Sequence, residues 1–124
     1  MLYLILKFLS SITKNNGLIE VLPAKTALLA NYPNPFNPET WIPYQLSAES
    51  DVTVEVYDIH GRLVRRFVLG MQRAGSYITK DRAVYWNGKN ESGERVASGV
   101  YFYRLKAEHP EAEFSAVRRL VVVK

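Results

Sequence analysis

The chain has 124 residues, the size of one ordinary domain, and 48% of them are hydrophobic. This composition is typical of a globular protein and argues against intrinsic disorder. The formal net charge of +4 permits an anionic partner but does not predict one, and we expect no nucleic-acid partner. The absence of cysteine excludes disulfide bonds, zinc–thiolate sites and thiol catalysis.

The first part of the chain is apolar but fits neither a membrane span nor a secretory signal. Lys7 interrupts an apolar run that is far shorter than the roughly 20 residues needed to cross a bilayer. A secretory signal carries its positive charge before the apolar run and a small-residue cleavage site after it, and the sequence has neither. Apolar residues at helical spacing predict an amphipathic helix over residues 2–13. We expect residues 1–30 to be a helical or linker segment that remains from a preceding region.

A proline-rich segment follows at residues 32–44. Its four prolines fix the backbone φ angle and move the preceding residues out of the helical region, so the segment must be extended. Two of its asparagines precede prolines and favour turns. It also carries Tyr32, Phe36 and Trp41, which a solvated linker has little reason to contain. The segment is therefore predicted to be stiff and docked, at the start of a β domain that spans residues 31–124.

From residue 42 onward, short apolar stretches alternate with turns. Val52, Val54 and Val56 alternate with Thr53, Glu55 and Tyr57, which is the clearest strand signal in the sequence. Asp58 and Gly61 frame a predicted turn, because aspartate bonds its own backbone two residues on and glycine supplies a positive φ. The apolar strand that begins near Val100 should be central. About seven short strands at intervals of about ten residues predict an all-β antiparallel sandwich.

Residues suited to catalysis or metal binding do not form a recognisable pattern. His60 and His109 lie in predicted turns, without a second histidine or cysteine at ligand spacing. The oxygen-rich stretch at residues 87–94 fails the spacing of a calcium loop and is interpreted as a hairpin tip. Aromatic residues such as Trp41 and Trp86 either fill the core or line a sugar-binding face, and core packing is the simpler explanation. No enzyme, cofactor or metal is predicted.

Five motifs in order carry a resemblance to a known family. They are Tyr32-Pro33-Asn34-Pro35-Phe36-Asn37-Pro38, Val56-Tyr57-Asp58-Ile59-His60-Gly61-Arg62-Leu63-Val64, Trp86-Asn87-Gly88, Ser98-Gly99-Val100-Tyr101-Phe102-Tyr103 and Arg119-Leu120-Val121-Val122-Val123-Lys124. The set resembles the type A C-terminal sorting domain of the type IX secretion system. That family is similar in turn to the immunoglobulin-like domain of the flagellar hook-capping protein. The resemblance spans residues 32–124 and implies an immunoglobulin-like sandwich.

The resemblance also implies a function. In the family, a separate N-terminal signal carries the cargo across the inner membrane, and the sorting domain folds in the periplasm. The outer-membrane translocon then recognises the domain, and a sortase-like protease commonly removes it. The implied role is a non-catalytic module that directs an upstream cargo to the cell surface or the medium. The implied partners are the outer-membrane secretion machinery and the protease, with no transmembrane segment in the domain.

Matching the family's motifs to this sequence position by position assigns a role to specific residues. The motif at the domain start comprises Pro33, Asn34, Pro35, Asn37 and Pro38. Translocon recognition is assigned to Gly99 and Tyr101 of the family's Gly-x-Tyr strand, to Arg119 and Lys124 of its terminal basic-hydrophobic-basic signal, and to the neighbouring cation Arg118. Cleavage is expected upstream, within about residues 24–31.

The chain departs from the family in three ways. Arg119-Leu120 stands where the family usually has lysine and methionine, and Asn87 replaces the more usual aspartate. Only residues 1–30 precede the domain, so we expect the chain to be a fragment or a gene model started at an internal methionine. Two other functions remain open: a structural immunoglobulin-like domain, hook-cap-like or an adhesin spacer, and a carbohydrate-binding module.

Overall fold

The computed structural model describes residues 12–15 and 18–124, with side chains from Val21 onward. This part of the chain is all-β, as predicted. Its strands are β1 (Ile12–Asn15), β2 (Leu18–Val21), β3 (Ala27–Leu28), β4 (Thr40–Ile42), β5 (Tyr44–Leu46), β6 (Ser50–Tyr57), β7 (Leu63–Gln72), β8 (Gly75–Tyr77), β9 (Val84–Trp86), β10 (Gly99–His109) and β11 (Ala112–Val122). The helix predicted over residues 2–13 lies outside the described residues except at its end, where Ile12 and Thr13 belong to strand β1 instead.

One layer of the sandwich is a four-stranded antiparallel sheet in the order β11-β10-β6-β7. Strand β10 is central in this sheet, as its apolar character predicts. Its partner β11 follows through a tight turn, with His109 opposite Ala112. Val52, Val54 and Val56 of β6 are all fully buried, which confirms the face predicted from their alternation.

The other layer consists of two small sheets, β3-β5-β8 and β4-β9. The buried Pro43 separates β4 from β5, and its carbonyl accepts a hydrogen bond from the Leu29 N–H at 3.0 Å. Ala27–Leu28 forms strand β3 and pairs with β5, so this part of the expected linker contributes to the sheet. Strands β1 and β2 pair with each other as an antiparallel hairpin.

The core lies between the two layers and is rich in aromatic side chains. Trp86, Tyr44 and Tyr103 are its largest fully buried residues, and Tyr101 is 7% exposed. Each large side chain buried in this way stabilises the fold by about 1.5–3 kcal/mol relative to exposure. The core-packing interpretation is therefore confirmed for Trp86 and for the tyrosines of β10. Trp41 remains half-buried at the surface.

The longest strands extend further than their sequence pattern predicts. Strand β7 continues through Gly70 to Gln72, because a β-bulge allows Gly70 to stay in the ladder with a φ of 73°. Likewise, β10 and β11 each have 11 residues, although charged residues interrupt their apolar pattern. Most of those charges lie on the outer face of the sheet, where they do not disturb pairing, whereas Arg118 shares the inward face with Ala116 and bonds the Leu28 carbonyl.

Candidate functional site

The end of β11 is covered by part of the proline-rich segment. Phe36 and Val122 form a parallel bridge, in which the Phe36 N–H donates to the Val121 carbonyl and the Val123 N–H donates to the Phe36 carbonyl, both at 3.0 Å. The Asn34 side-chain Oδ1 accepts a further hydrogen bond from the Val121 N–H at 2.9 Å. Residues 34–36 and 120–123 are called the terminal seam below. The seam joins the motif at the domain start to the motif at the chain end.

An apolar side chain ties the terminal seam to the core. Phe36 is only 2% exposed, and its ring packs against Trp86 with centroids 5.2 Å apart. Trp86 in turn meets Tyr101 edge-on at 6.2 Å. The Tyr101 hydroxyl donates to the Ala97 carbonyl at 2.8 Å. Motifs that are far apart in the sequence thus form one aromatic cluster beneath the seam.

The turn after Trp86 must approach this cluster closely. Gly88 has a φ of +74°, and a Cβ at this position would come within 3.0 Å of the Pro38 carbonyl oxygen. Position 88 therefore requires glycine, both because of its positive φ and because a larger side chain would meet the Pro38 carbonyl. The Trp86 Nε1–H donates to the Lys89 carbonyl at 2.9 Å, which fixes the indole across the turn. These contacts give a physical reason for the Trp86-Asn87-Gly88 motif.

Asn87 stabilises the same turn through its side chain. Its Oδ1 accepts hydrogen bonds from the Lys89 N–H at 3.1 Å and from Arg65 Nη1 at 3.4 Å. An asparagine therefore provides the acceptor that the more usual aspartate would provide, with less charge complementarity to the guanidinium of Arg65.

A second anchor holds the chain just upstream of the seam. The buried Tyr103 hydroxyl donates to the Leu29 carbonyl at 2.8 Å and accepts from the Asn31 N–H at 2.9 Å. Burial raises the pKa of Tyr103, so the hydroxyl stays protonated and able to donate. Thr40 Oγ1 donates to the Pro33 carbonyl at 2.9 Å and accepts from Asn31 Nδ2 at 3.1 Å. Sequence reasoning missed this network, because no periodicity or spacing marks its members.

The residues of the predicted domain-start motif have different surroundings. Asn34 bonds the terminal strand, whereas Pro33, Pro35, Asn37 and Pro38 are exposed. The peptide bonds that precede the three prolines are all cis. Only Asn34 of this motif contributes a side-chain hydrogen bond to the seam.

The predicted recognition residues lie at or beside the seam but face different directions. Arg119 is exposed and lies opposite Phe102 of β10. The neighbouring Arg118 turns the other way, and its Nε donates to the Leu28 carbonyl at 2.8 Å. The exposed Lys124 is held through its N–H, which donates to Ser98 Oγ at 3.0 Å.

The two β10 residues assigned to recognition, Gly99 and Tyr101, are uncharged and belong to the sheet and the core. Gly99, with a φ of +149°, pairs with Val122 at the seam. Tyr101 is buried beneath the seam, and its ring packs against Trp86.

Side chains in the polar turns accept hydrogen bonds from backbone N–H groups of the same turn. Asp58 Oδ1 accepts from the N–H groups of His60 at 2.9 Å and Arg62 at 3.0 Å, as the turn prediction requires. Burial opposes ionisation of Asp58, but these backbone hydrogen bonds outweigh it and lower its pKa. Asn90 Oδ1 similarly accepts from Ser92 N and Glu94 N, and Lys89 and Arg95 form an isolated antiparallel bridge across this turn. The flanking strands β9 and β10 belong to different sheets, so the hairpin predicted here is confined to this short turn.

Within residues 12–15 and 18–124, which the structure describes, no group of three or more His, Cys, Asp or Glu residues is arranged to hold a metal ion. No helix in that part is long and apolar enough to cross a membrane.

The family model for the FlgD Ig-like domain matches residues 37–111. The chain belongs to this family. The match confirms the immunoglobulin-like fold that was inferred from the resemblance. No curated protein matches the chain at a significant level.

Solved structures with the same fold include FlgD from P. aeruginosa, at 24% identity and a TM-score of 0.56, which covers 81% of this chain and 69% of that one. Dimeric latent PorU from Porphyromonas gingivalis has 20% identity and a TM-score of 0.61, over 82% of this chain and 10% of PorU. PorZ, a surface component of the type-IX secretion system of that organism, has 26% identity and a TM-score of 0.48, over 79% of this chain and 12% of PorZ. The chain thus spans about a tenth of PorU and PorZ.

The FlgD Ig-like match does not include either half of the terminal seam. Residues 34–36 precede the matched range, and β11 follows it. The family therefore accounts for the body of the sandwich, whereas the seam is built from flanking residues of this chain.

Proposed function

We propose that this FlgD-type Ig-like domain is a non-catalytic sorting module that directs an attached cargo across the outer membrane to the cell surface or the medium. The observation that carries the proposal is the terminal seam. Asn34 and Val121 are 87 positions apart in the sequence, yet a direct hydrogen bond joins the motif at the domain start to the terminal signal.

The seam supports this role because a sorting domain that is recognised in its folded form must present its signal at a fixed position. Chain termini fray unless backbone contacts hold them, and here three seam hydrogen bonds hold Val121 and Val123. Arg119 and Lys124 remain exposed on either side of the pinned apolar residues. Their positive charge suits a receptor surface of opposite sign.

The proposal includes a processing site upstream of the sandwich. Ala24 and Lys25 are exposed, whereas Leu28 and Asn31 are buried. The Leu28 carbonyl is also held by Arg118. A sortase-like protease would therefore cut near residues 24–25, where the side chains are exposed, and would leave the seam intact.

A secretion assay tests the proposal. A periplasmic reporter fused to residues 24–124 is expressed in a bacterium that has a type IX system, and the reporter is measured in the medium and on the cell surface. We expect export of the wild-type fusion and its loss with the double variant Arg119→Glu/Lys124→Glu. The matched control Arg119→Lys/Lys124→Arg keeps both charges and should be exported. Retention of the wild-type fusion in the periplasm would overturn the proposal, as would export of the charge-reversed variant.

A structural Ig-like domain is the second candidate, and the FlgD Ig-like match itself favours it. In that case residues 119–124 would serve folding and contacts between neighbours. The charge-reversed variant would then have the same phenotype as the wild type, while deletion of residues 119–124 would lower the thermal unfolding midpoint. Together, the two variants distinguish a sorting module from a structural spacer domain.

A further inference from the structure

Backbone groups along the outer edge of β11 follow a strict alternation. The seam bonds at Val121 and Val123 show that odd-numbered residues direct their N–H and C=O groups away from β10. In an antiparallel pair these directions alternate from one residue to the next. The same groups of residues 113, 115, 117 and 119 therefore also point outward. Within the described part of the chain, no backbone group or side chain bonds them.

The side chains at these four positions form an ordered pattern. Val117 is 59% exposed and lies near the middle, with the exposed Arg119 at the end beside the seam. Glu113 lies at the other end, close to the exposed Glu111 of the hairpin turn. Ser115 accepts a hydrogen bond from Arg104 Nε at 2.8 Å. The edge is thus basic at one end, apolar near the middle and acidic at the other end.

The opposite edge of the same sheet differs. Strand β7 contains a bulge near Val68, which interrupts regular pairing. Its early residues are covered by the loop that carries Glu91, whose N–H donates to the Val64 carbonyl and whose Oε1 accepts from the Arg66 N–H. Bulges and covering loops are common ways to block an edge strand. In β11, the structure instead shows an unbulged edge that is covered at the seam.

We propose that residues 113–119 of β11 form a strand-addition site for an extended segment of the receptor. The added strand pairs antiparallel, with a carboxylate beside Arg119, an apolar residue beside Val117 and a basic residue beside Glu113. Its main-chain bonds supply affinity and its alternate side chains supply specificity. Asn34 already occupies the Val121 N–H, so the added strand cannot pair beyond Arg119. Charge complementarity to Arg119 and Glu113 then sets its register. This inference rests on the proposed sorting function, because it identifies how the receptor reads the domain.

Proline substitution tests the backbone contact within the secretion assay. Val117→Pro removes an outward N–H but no bond to β10, a position where an edge strand tolerates proline. We expect export to fall at least about tenfold, which corresponds to about 1.4 kcal/mol of lost binding. Val117→Thr keeps the N–H and controls for loss of the apolar side chain. Val68→Pro controls for proline on the other edge, and both controls should retain most of the export.

A second variant keeps the test decisive if Val117→Pro does not fold. Arg119→Glu leaves every backbone group in place and reverses the charge at the seam end. Export of a folded Val117→Pro or Arg119→Glu variant within about twofold of the wild type would overturn the strand-addition site. Folding of each variant is measured by circular dichroism and thermal unfolding.

A binding experiment separates this inference from the proposed function. The probe is a synthetic seven-residue peptide with glutamate first, valine third, lysine last and threonine elsewhere. At millimolar peptide, amide hydrogen exchange at residues 115, 117 and 119 should slow at least about threefold. A control peptide with the two charged residues exchanged should have a smaller effect. Unchanged exchange, or equal slowing by both peptides, would overturn the site, whereas retention of the wild-type fusion in the periplasm would overturn the sorting function alone.

Discussion

The two edges of the four-stranded sheet are each covered at one end by a segment from elsewhere in the chain. At β11, Asn34 Oδ1 accepts from the Val121 N–H at 2.9 Å, and at β7, Glu91 Oε1 accepts from the Arg66 N–H at 2.6 Å. The hydrogen bonds are alike, but the seam also inserts the buried Phe36, whereas Glu91 is exposed. Burial of apolar surface is the dominant favourable term in folding. The comparison indicates that the seam is part of the core, while the β7 cover is a surface contact.

The largest expected effect comes from the apolar anchor of the seam. Phe36→Ala leaves a cavity beside Trp86 and should lower the free energy of unfolding by about 3–5 kcal/mol. Urea denaturation measures the change. Val123→Ala is the control, because that side chain is 45% exposed and should have little effect. A loss below about 1 kcal/mol for Phe36→Ala would contradict a core role for the seam.

The side-chain hydrogen bond of the seam should have a smaller effect. Asn34→Ala removes the acceptor of the Val121 N–H and should cost about 1 kcal/mol. Hydrogen exchange of the Val121 amide should become faster in the same variant. Asn37→Ala changes the neighbouring, exposed asparagine of the same Asn-Pro pattern and should leave both measurements unchanged. Equal effects of the two substitutions would mean that the Asn34 contact does not hold the strand.

A fall in pH should weaken the ion pair between Glu55 of β6 and Arg66 of β7, and should leave the contacts of the terminal seam unchanged. Burial opposes ionisation of Glu55, but its hydrogen bond from Arg66 Nε at 2.9 Å outweighs that cost and holds the pKa of Glu55 below its ordinary value of 4.5. A lowered folded-state pKa stabilises the protein above pH 4.5, and this contribution is lost as the pH falls through the lowered pKa.

The difference in free energy of unfolding between the wild type and Glu55→Gln should therefore shrink as the pH falls below 4.5. Arg66 is half exposed, so we expect a difference of about 1 kcal/mol or less at neutral pH. Urea denaturation at a series of pH values measures it. The Asn34→Ala effect should not change over the same series, because the seam residues carry no ionisable side chain. A pH-independent effect of Glu55→Gln would show that the ion pair does not contribute.

The smallest effect is expected at the exposed β7 cover. Glu91→Ala removes a side-chain acceptor from the Arg66 N–H, but the backbone bond from residue 91 to the Val64 carbonyl keeps the loop on the edge, so the change should stay within about 0.5 kcal/mol. Denaturation midpoints of Glu91→Ala and Asn34→Ala, measured side by side, give the comparison directly. A larger loss at Glu91 than at Asn34 would reverse the interpretation of the two edges.

Local patterns predicted the features that depend on neighbouring residues. The alternation of Val52, Val54 and Val56 predicts a face of β6 because side chains alternate along any strand. The turn at Asp58 was predicted because its aspartate bonds backbone groups within four residues. The sequence does not predict the bulge at Gly70, because an isolated glycine does not distinguish a bulge from a turn. It does not predict strand β3 either, because two residues are too few to show a periodic pattern.

The sequence by itself determined the all-β class, the central position of β10 and the stiffness of the proline-rich segment, since alternation, apolarity and proline geometry act locally. Only the tertiary structure decided that Asn34 and Phe36 pair with the end of β11 and that Tyr103 holds Asn31. These contacts join residues that are 87 and 72 positions apart, and no local propensity specifies such a pair. Burial of Phe36 against Trp86 holds the two ends of the domain together, because burial of apolar surface is the dominant favourable term in folding and acts between residues that are distant in sequence.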